Sequence, residues 1–398
     1  MTVRVLTNGR LVLPDRIVDN GWIAVQGERI AALGPGEPPA FPGGGDPVDY
    51  VDVERQWVLP GYIDVHCHGG GGSALYTGDV HDVRRAAAAH LARGTTSILA
   101  TIGTTAPETM LAAARAIAQA IEDGTAPNIR GIHFEGPFLS PHRRGAQTAT
   151  ALRQPDEALF AALVDAAGGH ALAMTIAPEL DGALELIHRH ADEFLFCIGH
   201  TDASAVVFEA AVDAGARHVT HLFNAMPALT HRAPGPVARA LLDKRVTVEL
   251  IADGHHLAPD AVRLTLESAG SDRVVLVTDA MAAAGLADGR YSFVDRTVDV
   301  RSGAAYLHET ETLAGSTAFI VDAAERAGSW GALSPLQMAN VSAANAARLL
   351  GWSDRGVIEA GAVADLIVSP DGIHPSAVAV SGRWRPAETS RRYELAVA

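Results

Sequence analysis

The residues of this sequence best suited to chemistry are histidines and carboxylates that each follow a short apolar run. They are His66, His68, Glu135, His200, His221 and Asp279. A single histidine in such a position is usually a hydrogen-bonded structural residue, but six imidazole and carboxylate side chains after five separate runs fit that interpretation poorly. Neutral imidazole and carboxylate together are suitable ligands for zinc, iron or cobalt. The set therefore predicts a transition-metal centre.

The apolar runs that carry these residues have the pattern of buried strands. The eight candidate strands are 63–66, 97–101, 131–135, 173–179, 195–200, 218–224, 247–253 and 274–279. Amphipathic helical patterns that end in glycine lie between several of them, for example at 106–124 and 202–215. This alternation is typical of a (β/α)8 barrel, in which active sites lie at the carboxyl ends of the strands. The barrel would therefore bring the six residues onto one rim, with His66 and His68 on the same face of their strand.

The two ends of the chain have β-branched runs separated by Asn-Gly, Gly-Glu and Pro-Gly turns. Such ends can pair with one another into one small sheet domain. The predicted fold class is therefore α/β: a TIM-like (β/α)8 barrel over residues 59–353, with a small β-sandwich domain formed by residues 1–58 and 354–398.

The overall composition narrows the function classes. The 398 residues are 48% hydrophobic and carry a net charge of −15, which argues against binding to nucleic acid or to acidic membranes. The amino terminus lacks the apolar core of a signal peptide, and the sequence has no apolar stretch of the length, about 18 residues, that a membrane span needs. Two cysteines, Cys67 and Cys197, are too few for a disulfide framework. We therefore expect a soluble cytoplasmic protein.

Several motifs together resemble one known family. They are DVHCHGG, HFEGPFLS, APE, GHTDA, HLFNAMP, HRAPG, IADGHHL, LVTDAM and LAGS, spread over residues 60–345. This combination is similar to the N-acetylglucosamine-6-phosphate deacetylases of the amidohydrolase superfamily. The EGPF and HLFNAMP motifs are specific to these deacetylases, whereas the His-x-His motif is shared across the superfamily.

The resemblance implies roles for the residues named above. It implies that Glu135, His200 and His221 hold the catalytic metal and that Asp279 is the catalytic acid and base. His66 and His68 would add a second ion with Glu135 as the bridge. Alternatively, these two histidines only form hydrogen bonds in a water-filled pocket. The implied cofactor is one or two divalent transition metal ions per subunit, zinc first, with iron or cobalt as alternatives.

The lysine content bears on the bridging ligand. Several amidohydrolase subtypes bridge two metals with a carboxylated lysine on strand 4, but Lys244, the only lysine in the chain, precedes strand 7. That subtype is excluded, which leaves Glu135 as the bridging carboxylate.

The resemblance also implies a substrate-binding set. Its members are Gln147, Asn224, Ala225, Arg232, His256, Leu313, Ala314 and Gly315. Arg232 matches a position that binds the sugar phosphate and that can reach the neighbouring subunit's site, so a homodimer is implied. Gln147 departs from the family pattern, which often has a histidine there to polarise the acetyl carbonyl. Arg143 and Arg144, just before it, are expected to belong to a solvated loop.

The predicted activity is hydrolysis of the acetamide of N-acetyl-D-glucosamine 6-phosphate to D-glucosamine 6-phosphate and acetate, in amino-sugar catabolism and recycling. An activated water attacks the acetyl carbonyl, Asp279 accepts its proton and passes it to the amine, and the metal and Gln147 stabilise the oxyanion. Two alternatives stay open: another metal-dependent amidohydrolase, acting on D-amino acids or cyclic amides, and a catalytically inactive scaffold.

Overall fold

A computed structural model describes residues 3–40, 48–293 and 296–388 of the chain. Its first five strands are β1 (Val3–Val12), β2 (Ile17–Gln26), β3 (Arg29–Pro35), β4 (Val48–Asp52) and β5 (Trp57–Pro60). The next ten are β6 (Tyr62–Cys67), β7 (Gly69–Gly70), β8 (Ser73–Ala74), β9 (Thr95–Gly103), β10 (Ile129–Glu135), β11 (Ala171–Ile176), β12 (Leu195–Ile198), β13 (His218–Val219), β14 (Thr247–Ile251) and β15 (Val274–Val277). The last six are β16 (Gly289–Phe293), β17 (Arg296–Arg301), β18 (Ala304–Leu307), β19 (Leu366–Ser369), β20 (Ala377–Val380) and β21 (Arg383–Pro386).

The helices of the described residues follow the barrel strands. They are α1 (Val80–Leu91), α2 (Pro107–Glu122), α3 (Glu157–Ala166), α4 (Ala183–His190), α5 (Ala205–Ala214), α6 (Gly235–Leu242), α7 (Pro259–Ala269), α8 (Ile320–Gly331), α9 (Pro335–Ala339) and α10 (Asn345–Leu349). Short 3-10 turns lie at Pro141–Arg143 and Ala149–Ala151, and a π-helical turn at Asn340–Ala344 joins α9 to α10. None of the helices in these three ranges is long and apolar enough to cross a membrane.

The barrel is a parallel sheet in the order β15-β14-β13-β12-β11-β10-β9-β6. It closes between its first and last strands, where Asp279 N donates to His66 O at 2.8 Å and His68 N donates to Ala280 O at 2.9 Å. All residues of β9 and β15 are buried, as expected for parallel strands covered on both faces. The barrel and its helices confirm this part of the predicted fold class.

The amino-terminal end of the barrel is closed by the segment that follows α8. Ala343, Ala346 and Ala347, from the π-helical turn and α10, pack against strand residues such as Val65 and Val275 in one apolar cluster. This packing leaves the opposite end of the barrel, where the strands finish, as the open face for a site.

Both chain ends form a separate sheet domain, which confirms the rest of the predicted fold class. Its sheet runs β21-β20-β19-β5-β1-β2-β3, and β4 also pairs with β1. The loop before β19 returns to β3, where Ile30 N donates to Ala362 O at 2.9 Å. The sheet thereby surrounds its own apolar core, which includes Leu11, Ile23 and Leu366. The predicted domain boundaries, 1–58 and 354–398 around 59–353, stay a prediction.

Five barrel strands end before the residues at which the sequence predicted their ends. They are β11, β12, β13, β14 and β15, which stop at Ile176, Ile198, Val219, Ile251 and Val277 instead of residues 179, 200, 224, 253 and 279. His200, His221 and Asp279 follow with φ angles of 45°, 28° and 48°, which an extended strand cannot contain. Positive φ in non-glycine residues costs about 1–3 kcal/mol each and clusters at functional sites.

A three-stranded antiparallel sheet, β16-β17-β18, is inserted between β15 and α8, and the sequence analysis did not predict it. Val298, Val300 and Leu307 pack against Met281 and Ala314, next to the end of β15. The insertion therefore stands beside the open face of the barrel.

Candidate active site

Glu135, at the end of β10, lies at the centre of the predicted cluster. Its Oε1 atom is 3.0 Å from Nε2 of His200 and 3.2 Å from Nε2 of His221, and these two nitrogens are 3.1 Å apart. The same Oε1 lies 3.4 Å from Nε2 of His66, and Oε2 lies 3.3 Å from Nε2 of His68. Two compact groups of three donors therefore share one carboxylate.

Asp279 completes the cluster from the end of β15. Its Oδ1 atom is 3.3 Å from Nε2 of His68 and 3.7 Å from Nε2 of His66. The barrel thus brings together all six residues that the sequence singled out.

The orientation of His200 is set by a backbone carbonyl that sequence reasoning missed. Nδ1 of His200 donates to the carbonyl oxygen of Arg143 at 2.8 Å, and because a carbonyl only accepts, this nitrogen carries the ring hydrogen. Nε2 of His200 is therefore the nitrogen left to bind a metal, and it faces Glu135. The Arg143 side chain pairs with exposed Asp202 at 2.7 Å, which agrees with the expected solvated loop.

Gln147 contacts the same carboxylate. Its Nε2 donates to Oε2 of Glu135, and its Oε1 accepts from the backbone N–H of Thr104 at 2.7 Å. The second contact fixes which end of the amide faces Glu135. In this structure Gln147 therefore orients a candidate metal ligand, a role that the sequence analysis did not predict for it.

The electrostatics of the cluster favour bound cations. Burial raises the pKa of Glu135, but His200 and His66 hold it well below its usual range. Burial also raises the pKa of Asp279, which His66 and His68 nevertheless bring below its ordinary value. Both carboxylates are therefore ionised at neutral pH. Burial disfavours the charged form of His68, but hydrogen bonds to Asp279 and Glu135 raise its pKa to about 9.

A cavity of about 290 Å³ opens onto the cluster. Its lining includes His68, Glu135, Gln147, His200, His221, Asn224, Ala225, His256, Asp279, Leu313 and Gly315, all of which the sequence analysis named. Phe293, Glu311 and Thr312, from the inserted sheet and the loop after it, line the same cavity and were missed.

Three predicted site residues lie outside the lining of this cavity. His66 is fully buried beneath it, within reach of Glu135. Ala314 is also fully buried and packs against the inserted sheet, while its neighbours Leu313 and Gly315 face the cavity. Arg232 is exposed on a loop and does not line the cavity of its own chain.

His256 is held at the cavity wall by an aspartate that sequence reasoning also missed. Nδ1 of His256 lies 2.8 Å from Oδ2 of Asp253, and Oδ1 of Asp253 accepts from the backbone N–H groups of His255 and His256 at 2.9 and 2.8 Å. The motif Asp-x-x-His, with a turn-forming Asp-Gly, was the available signal for this contact.

The donor set fits a divalent transition metal. Imidazole nitrogens and carboxylate oxygens are its usual ligands, and all five candidate ligands are buried. Nε2 of His200 lies 3.0 Å from Oε1 of Glu135. Two closely spaced ligand atoms of this kind suit one shared cation. Exposed Lys244 lies in the turn before β14, away from this cluster.

Comparison with known proteins agrees with this fold. The model of the amidohydrolase family matches residues 57–385. The chain is 36% identical to the N-acetylglucosamine-6-phosphate deacetylase of Bacillus subtilis, covering 90% of this chain and 91% of that protein. It is 33% identical to the N-acetylgalactosamine-6-phosphate deacetylase of Escherichia coli O157:H7, covering 95% and 98%.

A solved structure shows the same likeness. The N-acetyl-D-glucosamine-6-phosphate deacetylase of Mycobacterium smegmatis, in complex with N-acetyl-D-glucosamine-6-phosphate, superimposes with a TM-score of 0.90 at 35% identity, over 96% of this chain and 99% of that one. The chain belongs to the amidohydrolase family, a family of metal-dependent hydrolases. Within that family, the resemblance to the N-acetylglucosamine-6-phosphate deacetylases is confirmed.

Proposed function

We propose that this protein hydrolyses the acetamide of N-acetyl-D-glucosamine 6-phosphate, giving D-glucosamine 6-phosphate and acetate, in amino-sugar metabolism. The observation that carries the proposal is the position of Asp279 at the base of the cavity. Its Oδ1 atom lies 3.3 Å from Nε2 of His68, which belongs to one of the two ligand groups that share Glu135. The relatives named above support the substrate class.

Each residue has a defined part in the proposed reaction. Glu135, His200 and His221 would hold one metal ion, and His66 and His68 with Glu135 would hold another. When bound, the metal supplies a Lewis acid that activates water and polarises the acetyl carbonyl. Oδ1 of Asp279 accepts the proton of the attacking water and then gives it to the departing amine, acting first as base and then as acid.

The sugar would be oriented by the cavity wall. His256, fixed by Asp253, and the amide of Asn224 present polar atoms towards the cavity, while Ala225, Leu313 and Gly315 bring backbone or apolar atoms near it. Ala314, which is buried behind this wall, would keep its neighbours in place. The second amide hydrogen of Gln147, not used towards Glu135, would be available to the oxyanion.

The phosphate group needs a cation that the cavity lacks. Among the described residues, neither arginine nor lysine lines it, whereas Glu135, Asp279 and Glu311 do. Exposed Arg232 would supply the cation in the site of a neighbouring subunit, as the guanidinium grips phosphate through two parallel hydrogen bonds. This arrangement supports a homodimer with shared sites.

Replacing Arg232 is expected to affect the phosphorylated substrate selectively. Arg232→Ala should lower kcat/KM for N-acetylglucosamine 6-phosphate roughly 10- to 150-fold, because a charge-assisted hydrogen bond contributes about 1.5–3 kcal/mol. Steady-state acetate release from the phosphorylated and the unphosphorylated sugar measures this. The unphosphorylated sugar should be nearly unaffected, and so should both substrates with the exposed control variant Arg263→Ala.

An equal loss with both sugars would show that Arg232 is structural. Mixing Arg232→Ala chains with Asp279→Asn chains then tests for sharing between subunits. Partial recovery of activity in mixed dimers supports a shared site. No recovery after proven subunit exchange would place Arg232 in its own chain's cavity.

Removing the Gln147 amide is expected to slow turnover. Gln147→Ala should lower kcat about 10- to 100-fold with little change in KM, because both the oxyanion and Glu135 lose a donor. Gln147→His, which restores the side chain often found in the family, should stay within about tenfold of the parent. An unchanged kcat in Gln147→Ala would show that this residue does not stabilise the oxyanion.

We propose zinc as the metal, since mixed imidazole and carboxylate sets suit it, with iron or cobalt as the alternatives that elemental analysis distinguishes. Two ions per subunit are proposed because both ligand groups are present and buried.

A cytoplasmic location is supported by two buried cysteines that form no disulfide.

A substrate panel tests the proposed specificity. Acetate release would be measured with the N-acetyl derivatives of glucosamine, galactosamine and mannosamine, each with and without the 6-phosphate, and with representative D-amino-acid and cyclic amides. We expect the highest kcat/KM with N-acetylglucosamine 6-phosphate. A preference for the galactosamine epimer is the second candidate, favoured by the 33% identity to the Escherichia coli enzyme of that name. Cleavage of only the D-amino-acid or cyclic amides would favour the alternative of another metal-dependent amidohydrolase. Absence of cleavage with every substrate would favour the alternative of an inactive scaffold.

A further inference from the structure

Glu249 is a buried carboxylate inside the barrel, on β14, that the proposed reaction does not use. It is 1% exposed and lies beneath the cluster, on a strand whose other residues are apolar except for Thr247. A buried carboxylate is destabilising unless it is paired and hydrogen-bonded, so its contacts indicate what it does.

Three donors converge on the two oxygens of Glu249. Oε2 accepts from the backbone N–H of His221 at 2.8 Å and lies 3.0 Å from Nδ1 of His66. Oε1 lies 3.0 Å from Nε2 of His218, whose other nitrogen, Nδ1, is 2.6 Å from Oγ1 of Thr247. Glu249 thus contacts both candidate ligand groups, but it touches the imidazole ring only in the group that contains His66.

The contact with His66 fixes where that ring carries its hydrogen. An ionised carboxylate only accepts hydrogen bonds, so Nδ1 of His66 is the donor, and in the neutral ring that binds a metal it is Nε2 that carries the lone pair. Nε2 of His66 faces His68 Nε2 at 3.2 Å and Glu135 Oε1 at 3.4 Å. The contact with Glu249 therefore sets the ring in the direction that a metal ligand requires, with Nε2 as the nitrogen that is left to bind the ion.

We propose that Glu249 is a positioning residue that makes His66 a metal ligand, and that it thereby determines whether the His66, His68 and Glu135 group holds its own ion. The inference rests on the proposed metal centre and deepens it. The two ion positions differ in this respect, because His200 is oriented by the neutral carbonyl of Arg143, whereas His66 is oriented by a carboxylate. A carboxylate behind an imidazole raises the basicity of the ligand.

The test is to count metal ions in Glu249→Gln. Glutamine keeps the size of the side chain, and its carbonyl oxygen can still accept from His66 and His221. It loses the charge that strengthens the metal bond. Partners of this kind typically contribute about 10- to 100-fold in metal affinity. Equilibrium dialysis of stripped protein against buffered Zn²⁺, with elemental analysis and a thermal melt, should give two ions per chain for the parent protein. In Glu249→Gln, one ion should bind with unchanged affinity and the other about 10- to 100-fold more weakly, with little change in the melting temperature.

Two reference variants show which ion position is weakened and whether the effect is specific to Glu249. His66→Ala should also retain one ion, which identifies the weakened position. His218→Gln removes the contact on the opposite oxygen without touching His66, so it should keep both ions. Equal loss of metal in His218→Gln and Glu249→Gln would show that Glu249 is only a structural link between strands, and would overturn the proposal. A parent protein that binds a single ion, unaffected by His66→Ala, would overturn it as well.

A second measurement uses the parent protein, so it does not depend on how the variant folds. Nitrogen NMR of ¹⁵N-histidine-labelled, zinc-loaded protein, with His66 assigned by substitution, should show a protonated Nδ1 and a metal-bound Nε2. Metal on Nδ1, or a proton on Nε2, would contradict the proposal. Neither experiment involves substrate. Failure of the proposed deacetylation is therefore seen separately, as absence of acetate release from protein that binds both ions.

Discussion

Asp279→Asn is expected to leave metal bound and to remove nearly all turnover. Asparagine has the same shape but cannot accept the proton of the attacking water, and loss of one general acid–base group typically lowers the rate about 10²- to 10⁴-fold. The pKa of Asp279, held below its ordinary value by His66 and His68, leaves it ionised and ready to accept at neutral pH. Initial rates of acetate release, paired with metal analysis of the same sample, measure the effect.

The matched control for this variant is Asp192→Asn. Asp192 is exposed in the turn between α4 and β12 and does not line the cavity, so its substitution should change neither rate nor metal content. An Asp279→Asn protein within tenfold of the parent would place the base elsewhere. Loss of metal from the Asp279→Asn protein would show that Asp279 is itself a metal ligand.

Glu135→Ala is expected to lose both metal ions and with them the activity. Glu135 is the one residue shared by both ligand groups, and it is contacted by four histidines within 3.4 Å. Metal-derived stabilisation of the transition state is worth several kcal/mol, so the fall in kcat/KM should be at least about 10³-fold. Elemental analysis after dialysis, together with acetate release, gives both results.

Folding is monitored separately for this variant. Circular dichroism melts of Glu135→Ala and of the exposed control Glu193→Ala show whether the barrel is intact, and Glu135→Gln offers a second variant of nearly the same size. A folded Glu135→Ala protein that retains the parent's metal content and rate would remove Glu135 from the metal centre.

The sequence was most informative where chemistry and strand ends coincide. His66, Glu135 and Asp279 each follow an apolar run, and parallel strands of a barrel all finish at one end, so their convergence followed from the order of elements. The fold class was predictable for the same reason, since alternating strand and helix patterns persist through the middle of the chain.

Other features depend on three-dimensional contacts that a strand pattern does not encode. The segment 218–224 was predicted as a full strand because it is apolar, but positive φ at His221 and Phe223 turns the chain after Val219. The inserted sheet at residues 289–307 was missed, although its alternating residues were visible, because it interrupts the expected step from strand to helix.

The orienting contacts were beyond sequence reasoning for a different reason. The carbonyl of Arg143 has no side-chain signature, so its hydrogen bond to His200 cannot be inferred from residue type. Glu249 did carry a signal, as a single carboxylate within the buried run TVELI, where alternation places it on the same face as Thr247. Recognising its partners required the register between β6, β13 and β14.

The central claim is that acetate release from N-acetylglucosamine 6-phosphate depends on metal held by the cluster around Glu135. The most direct test strips the protein with a chelator, removes the chelator, and follows acetate release while Zn²⁺ is added back in measured equivalents. We predict no measurable release from stripped protein, and recovery that rises with bound metal and levels off at the stoichiometry of the site. Full activity in protein proven to contain no metal, or no acetate from protein proven to be loaded, would contradict the account.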